Sequence, residues 1–172
     1  MSPKIRYWWV NQGFNYEYER EGGYLWAPLH GKGGRVFSHH TNVSHLQPGD
    51  LVFNYSKTLR AVSQVLENSR QLPRPGSVTS QDLGYLAKVR YYDLPEPIYL
   101  DSIPQDWRIK EGGIFNHKGG VTQVYLLELS EEFVKKLAAR FKAKLPNLFE
   151  CLISLKLKQT IVKLLLAKKS PL

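Results

Sequence analysis

Eight aromatic residues lie within the first 26 positions of this chain, and polar side chains are interleaved with them. The eight are Tyr7, Trp8, Trp9, Phe14, Tyr16, Tyr18, Tyr24 and Trp26. Flat π faces beside amide and hydroxyl groups suit a planar, hydrogen-bonding ligand such as a nucleobase. Each ring taken alone is more simply explained as part of a core, because aromatic side chains mostly bury. The stretch from residue 5 to residue 40 therefore constrains both the fold and any binding site.

The order of apolar and polar segments predicts a β-rich domain. Thirteen glycines and ten prolines in 172 residues imply many turns. Strands are expected where β-branched, aromatic or alternating residues cluster, at residues 5–10, 24–27, 51–53, 59–66, 85–92 and 121–129. Side chains alternate along a strand, so Trp8 and Trp9 should point to opposite faces, one into the core and one outward.

The segments between these strands are polar or rich in glycine and proline. We predict loops at residues 11–23, 67–84 and 106–120, and a proline-bounded connection at residues 94–104. Ser130 is placed to cap a helix whose apolar positions, from Phe133 to Phe141, follow helical spacing. Pro146 should end that helix. The pattern predicts five to seven short strands around a barrel with few helices.

The formal net charge of +9 is concentrated at one end of the chain. Residues 131–172 carry ten lysines and arginines against three acidic residues, whereas residues 1–130 carry 14 against 12. We divide the chain into a domain at residues 1–145 and a basic amphipathic segment at residues 146–172, expected to be helical. A basic balance favours polyanions such as nucleic acid. The segment could pack on the domain, or bind a nucleic-acid backbone, a membrane surface or a partner.

Several enzyme and membrane classes lack their sequence signals here. HGKGGR does not have the spacing of a Walker loop, and neither a Gly-x-Ser-x-Gly motif nor a Cys–His pair stands out. His30, His39, His40 and His45 lie close together without cysteine or carboxylate at ligand spacing, so we expect no metal and no cofactor. The single cysteine, Cys151, cannot form an internal disulfide. A cytoplasmic, non-enzymatic protein without a transmembrane segment is the expectation.

Several spaced motifs, in order, resemble the EVE family. They are YWWVNQ, REGGYLWAP, a basic turn followed by a Ser–His pair, QPGDLVFNYS and IFNHKGGVTQVYL, and together they span residues 5–140. That family belongs to the PUA-like group and is similar to the YTH readers of methylated adenine. The resemblance implies an α+β fold, a PUA-like small mixed β-barrel with peripheral helices. It is strongest to EVE-type modules joined to McrB-type or HNH restriction enzymes, which bind DNA carrying a modified, flipped base.

The resemblance implies a base pocket around Trp26, which stands where the family places a cage aromatic. Asn11, with Gln12 or Asn15 nearby, would meet the base edge. The implied pocket residues are Trp9, Asn11, Tyr24, Trp26, Ala27, Ser38, His39 and Tyr55, with Asn15, Asn116 and Gln123 at the mouth. Residues 67–84 contain no Trp or Tyr, so the second cage ring of a YTH reader has no counterpart there, and Tyr24, Trp9 or Tyr55 are its candidates. We expect Trp26 to line an open slot at the edge of the barrel.

Basic residues of the loops outline a rim that could hold phosphates around this pocket. They are Lys32, Arg35, Lys57, Arg60, Arg74 and Lys118. The resemblance implies a reader that flips a methylated cytosine or adenine of DNA into the pocket, as the specificity module of a modification-dependent restriction system with a nuclease or ATPase partner. DNA is favoured over RNA as the ligand. There are two alternatives: a PUA-like module that binds RNA, and a protein-interaction module that acts through the basic segment at residues 146–172.

Overall fold

The computed structural model describes residues 4–77 and 83–147, together with residues 161, 165 and 167. The predicted domain boundary at residue 145 falls at the end of this part, and the predicted helical segment at residues 146–172, including Cys151, lies almost wholly outside the described residues. In the described part of the chain, no helix is long and apolar enough to cross a membrane.

Seven strands form one curled, half-barrel sheet. They are β1 (Tyr7–Asn11), β2 (Tyr24–Pro28), β3 (Leu51–Ser56), β4 (Thr58–Val65), β5 (Arg70–Pro73), β6 (Leu83–Ile98) and β7 (Leu126–Leu129). The order is β2-β6-β4-β3-β1-β7, and β5 pairs with β6 beside this path. β1 runs parallel to β3, and the other pairs are antiparallel. The expected α+β class and β-rich curled architecture are confirmed.

Short helices surround the sheet. They are α1 (Tyr16–Gly22), α2 (Ser38–Thr41), α3 (Gln105–Glu111) and α4 (Glu131–Arg140). Ser130 caps α4 as predicted, because its side chain accepts a hydrogen bond from the Phe133 N–H at 3.1 Å. The buried face of α4 carries Phe133, Val134 and Leu137, which pack on one side of the sheet. This helix therefore supplies much of the cover of that side.

Both faces of the sheet are buried, which corrects the expectation for Trp8 and Trp9. The two side chains do point to opposite faces, but they are 2% and 0% exposed. Trp9 belongs to a large apolar cluster with residues of α4, and Trp8 belongs to a second cluster with Val43 and Leu46. A strand whose two faces are both covered has no outward side, so alternation alone does not predict exposure.

Four segments predicted as loops or connections contain regular structure. Residues 13–22 form a 3₁₀ turn followed by α1, which ends at Gly23 in the left-handed region (φ +68°). The predicted loop at 67–84 includes β5, and the one at 106–120 includes most of α3. β6 continues through Pro95 and Pro97, because residues 94–97 bulge away from β4 between the pairs Ala61–Asp93 and Leu59–Ile98. A bulge needs no ladder N–H, so proline is tolerated there.

Candidate functional site

The Trp26 indole lies over the neighbouring strand. β2 pairs with β6, and a Cβ placed at Gly84 of β6 would overlap Cε2 and Cζ2 of the ring. The indole N–H reaches beyond β6 and donates to the backbone carbonyl of Leu72 on β5 at 3.2 Å. Because Gly84 has no side chain, the ring can extend from β2 over β6 to β5. Gly84 fixes the side of the ring that faces β6, and the hydrogen bond to Leu72 fixes its edge.

Arg74 covers the ring, so the slot is not open as expected. Trp26 is 9% exposed and packs in a small cluster with Tyr24 and Leu86, separate from the two large cores. The Arg74 guanidinium carbon lies 5.5 Å from the ring centroid, and its NH2 group donates to the Asn15 side-chain oxygen. Arg74 itself is exposed. An exposed cation–π contact contributes about 0.5–1 kcal/mol, so this cover can be displaced at low cost.

A buried carboxyl group lies behind the Trp26 backbone. Glu19, 3% exposed on α1, accepts hydrogen bonds from the Gln12 amide and from the Tyr125 hydroxyl at 2.9 Å. The same hydroxyl accepts from the Trp26 backbone N–H at 3.2 Å. Burial raises the pKa of Glu19 to about 7, and the hydrogen bonds to the carboxylate oppose this rise. The carboxyl group thus helps to position β2 at Trp26.

The Gln12 amide extends this polar cluster to β3 and β6. Its Nε2 donates to the Tyr91 hydroxyl at 2.8 Å as well as to Glu19. The Tyr91 hydroxyl donates to the Tyr24 backbone carbonyl at 3.1 Å, and Asn54 donates to Gln12 Oε1 at 3.1 Å. Both hydrogens of the Gln12 amide are therefore used to join α1 and β2 to the sheet.

The other predicted pocket residues divide into two groups. His39 accepts a hydrogen bond from the Tyr125 N–H through Nδ1 at 3.1 Å, which connects it to the polar cluster. Burial lowers the pKa of His39, so the neutral ring that this bond needs is favoured. Asn11 donates to the Thr122 carbonyl at 2.9 Å and so holds the loop before β7. Ser38 is exposed at the start of α2.

Trp9, Tyr55 and Ala27 lie in packed regions away from the Trp26 ring face. Trp9 is fully buried, and its centroid is 5.3 Å from the rings of both Tyr55 and Phe115. Ala27 alternates with Trp26 on β2 and points into the second large core. Of the three candidates for a second cage ring, only Tyr24 shares the small cluster of Trp26.

The residues predicted at the mouth are not brought together. Asn15 lies at the slot, through its bond to Arg74. Asn116 is exposed and closes its own turn by accepting from the backbone N–H groups of Lys118 and Gly120. Gln123 is exposed in the loop before β7. The structure therefore supports a role at the slot most directly for Asn15.

The predicted phosphate-binding residues are spread over several turns. Arg74 lies on the Trp26 ring. The Arg60 guanidinium carbon lies 4.1 Å from the Tyr16 ring centroid, and its Nη1 forms an ion pair with Glu17 Oε1 at 2.6 Å. Part of the Arg60 charge is therefore compensated. Lys57 is exposed at the β3–β4 hairpin in the left-handed region (φ +63°). That hairpin lies beside residues 13–15, because the neighbouring Ser56 hydroxyl donates to the Gly13 carbonyl. Lys32, Arg35 and Lys118 are exposed on other turns.

Several residues of the site, among them Glu19 and Gly84, escaped the sequence interpretation. Glu19 lies in the segment 11–23, for which the sequence predicts a loop, but it is the buried acid of the cluster. The spacing of Tyr16 and Glu19, three positions apart, would have placed both on the inner side of a helix had residues 16–22 been recognised as one. Gly84 carries no local signal, since its role comes from the strand that crosses it.

The four neighbouring histidines do not assemble a metal centre in the described residues. Within residues 4–77 and 83–147, no group of three or more His, Cys, Asp or Glu side chains is placed to hold an ion. His39 and His40 do lie together, with ring centroids 4.3 Å apart.

Solved structures share this fold at low sequence identity. A hypothetical protein from Leishmania major superimposes with a TM-score of 0.56 at 12% identity, over 81% of this chain and 97% of its own. The Pho92 YTH domain, solved in complex with m6A, superimposes with a TM-score of 0.53 at 13% identity, over 81% of this chain and 88% of its own. A Pseudomonas putida protein superimposes with a TM-score of 0.52 at 13% identity, over 78% of this chain and 98% of its own. The fold resembles that of a YTH domain. No protein-family model matches the sequence, and no curated protein matches it.

Proposed function

We propose that this protein is a nucleic-acid reader that takes a modified base, flipped out of its strand, against the Trp26 indole. The observation that carries the proposal is a tryptophan ring that lies over Gly84 of the neighbouring strand, with an exposed arginine over the ring and a buried polar cluster behind its backbone. The Pho92 YTH domain, bound to m6A, supports this use of the fold. The net charge of +9 supports a polyanionic partner.

The energetics require polar contacts in addition to stacking. Unstacking a base costs a few kcal/mol, and stacking on an aromatic ring returns about 1–3 kcal/mol. Burying one methyl group adds about 0.8 kcal/mol, which gives only a modest preference. Hydrogen bonds to the base edge must supply the remainder. We assign part of this role to Asn15, because its side-chain oxygen accepts a hydrogen bond from Arg74, which covers the ring.

We propose methylated adenine or cytosine in DNA as the ligand, by the resemblance of the sequence motifs to EVE modules of restriction proteins. The chain would then act as the specificity module of a modification-dependent restriction system, and a nuclease or ATPase partner would supply the chemistry. The same slot would take a modified base from RNA, which is the main alternative.

Binding to matched oligonucleotides tests the proposal. One sequence is prepared with N6-methyladenine, 5-methylcytosine, 5-hydroxymethylcytosine or no modification, as duplex DNA, single-stranded DNA and RNA. At one fixed salt concentration, we expect about tenfold tighter binding for one modified base, equivalent to about 1.4 kcal/mol. Equal affinity for all oligonucleotides would contradict the proposal.

The Trp26→Ala variant tests the position of the slot. It should remove the preference for the modified base, because the stacking surface is lost. Trp107→Ala is the matched control. Trp107 is half-buried on α3, where the Lys136 ammonium nitrogen lies 5.6 Å from its ring centroid. The control should keep the preference. A folded Trp26→Ala protein that still distinguishes modified from plain oligonucleotides would place the slot elsewhere.

A further inference from the structure

The Trp26 slot has one wall of known geometry and needs a second. The inner face of the indole lies on Gly84, and its N–H is held by Leu72. Residues 67–84 contain no Trp or Tyr that could provide a second ring. From the described part of this segment, the Arg74 guanidinium, directly after β5, faces the ring.

We propose that Arg74 is the second wall of the slot, so that the base enters between the Trp26 indole and the Arg74 guanidinium and stacks on both. This inference rests on the proposed function and assigns to Arg74 a different role from the phosphate contact that the sequence suggests. A guanidinium group is planar and stacks on aromatic faces, and proteins use it in this way on unstacked bases.

The distances identify which wall must move. A base stacked on two planes at about 3.5 Å from each requires a separation of about 7 Å between them. The guanidinium carbon is 5.5 Å from the indole centroid, and this distance is the upper limit of the present separation, so the slot must widen by at least about 1.5 Å. Trp26 is fixed by Gly84 and by the Leu72 carbonyl. Arg74 is exposed on a long, flexible side chain, so the arginine retreats and the indole stays.

A cationic wall restricts the class of base that fits. A guanidinium attracts the electron-rich face of a neutral base and repels a base that carries a positive charge. Uncharged N6-methyladenine should therefore enter, whereas 1-methyladenine, which is cationic at neutral pH, should be rejected. A slot with two aromatic walls would have the opposite preference, because π faces attract cations.

Three substitutions at one position separate stacking from phosphate binding. Against the preferred oligonucleotide of the screen, Arg74→Ala should lose about tenfold in affinity. Arg74→Phe should keep most of the affinity, since it retains a flat surface. Arg74→Lys should lose as much as alanine, since an ammonium group has no plane. Arg74→Phe should also bind the oligonucleotide with 1-methyladenine more tightly than the wild-type protein does.

Arg90→Phe, at an exposed position of β6, should behave as wild type, and circular dichroism should show all variants folded. If Arg74→Lys keeps the affinity and Arg74→Phe loses it, Arg74 is a phosphate contact and this inference is wrong, while the proposed function stands. The same holds if Arg74→Ala has no effect. If the wild-type protein prefers no modified base, both proposals are wrong.

Discussion

Trp9 and Trp26 are both buried indoles on strands of one sheet, but they are held in opposite ways. Trp9 is fully enclosed by apolar neighbours, and its indole nitrogen is buried without a hydrogen-bond partner in the described residues. Trp26 has two neighbours in its cluster, a hydrogen bond from its ring to Leu72 and one from its backbone to Tyr125. One ring is held by packing on all sides, and the other by directed contacts that leave one face to a displaceable arginine.

This difference shows how one face of a ring can be left to an exposed side chain in a sheet whose two faces are covered. Packing on all sides fixes a ring but leaves no face for a ligand. Hydrogen bonds at the edge of a ring and at its backbone fix the position while the opposite face stays accessible to exchange. The two tryptophans should therefore contribute differently to the free energy of unfolding.

The largest expected effect is the loss of stability on truncating Trp9. Trp9→Ala leaves a cavity in the main core and should lower the free energy of unfolding by about 3–5 kcal/mol. Trp26→Ala should cost less than half of that, because its cluster is small and lies near the surface. Urea denaturation of both variants measures the two losses. Equal losses would mean that Trp26 is a core residue like Trp9.

The next largest effect concerns the buried carboxyl group. Because the pKa of Glu19 is about 7 in the folded protein and 4.5 without burial, the folded state binds more protons between these values. The contribution of Glu19 to stability should therefore fall as pH rises from 4.5 to 7 and level off above that, by a total on the order of 3 kcal/mol. This contribution is fully present below pH 4.5.

Glu19→Gln should remove that part of the pH dependence, since an amide does not titrate in this range. Glu21→Gln, at an exposed position of the same helix, is the matched control and should keep the wild-type slope. Urea denaturation across pH 4 to 8 provides the measurement. An unchanged slope in Glu19→Gln would show that another group titrates.

A smaller effect is expected at Gly84, where the added methyl group would overlap the Trp26 ring and the Ala27 carbonyl. Overpacking of this kind costs about 1–3 kcal/mol. In a Trp26→Ala background the ring is gone, so Gly84→Ala should cost less, although the Ala27 carbonyl remains. A double-mutant cycle measures this coupling. Additive losses would show that the ring does not lie on Gly84 in solution.

The sequence predicts those elements that depend on residues close together in the chain. The strand at residues 51–53 and the Ser130 cap of α4 follow from residue types at fixed local offsets. α1 was missed because its seven residues have little intrinsic helix stability, and tertiary contacts such as those of Glu19 hold it. β6 was predicted too short because its prolines lie in a bulge that only the pairing with β4 reveals.

The site shows the same division. Trp26 and Asn15 were found through motif resemblance, and the structure places both beside Arg74. Whether a side chain faces a ligand or a core depends on which strands cross it, which is why Trp9 and Tyr55 were grouped with Trp26. The positions of Gly84 and Arg74 follow from β2 and β5 flanking the same part of β6, a long-range pairing without a sequence signal.

The span of one indole from β2 over Gly84 to β5 has an evolutionary consequence. The residue that would touch the ligand also fastens an edge strand, so substitutions at this position are constrained by folding before they are tested by binding. New ligand preferences should therefore arise through substitutions of Arg74 on the other side of the slot, because substitutions at this exposed position cost little folding stability. Directed evolution of this protein would do best to randomise residue 74 and leave residue 26 alone.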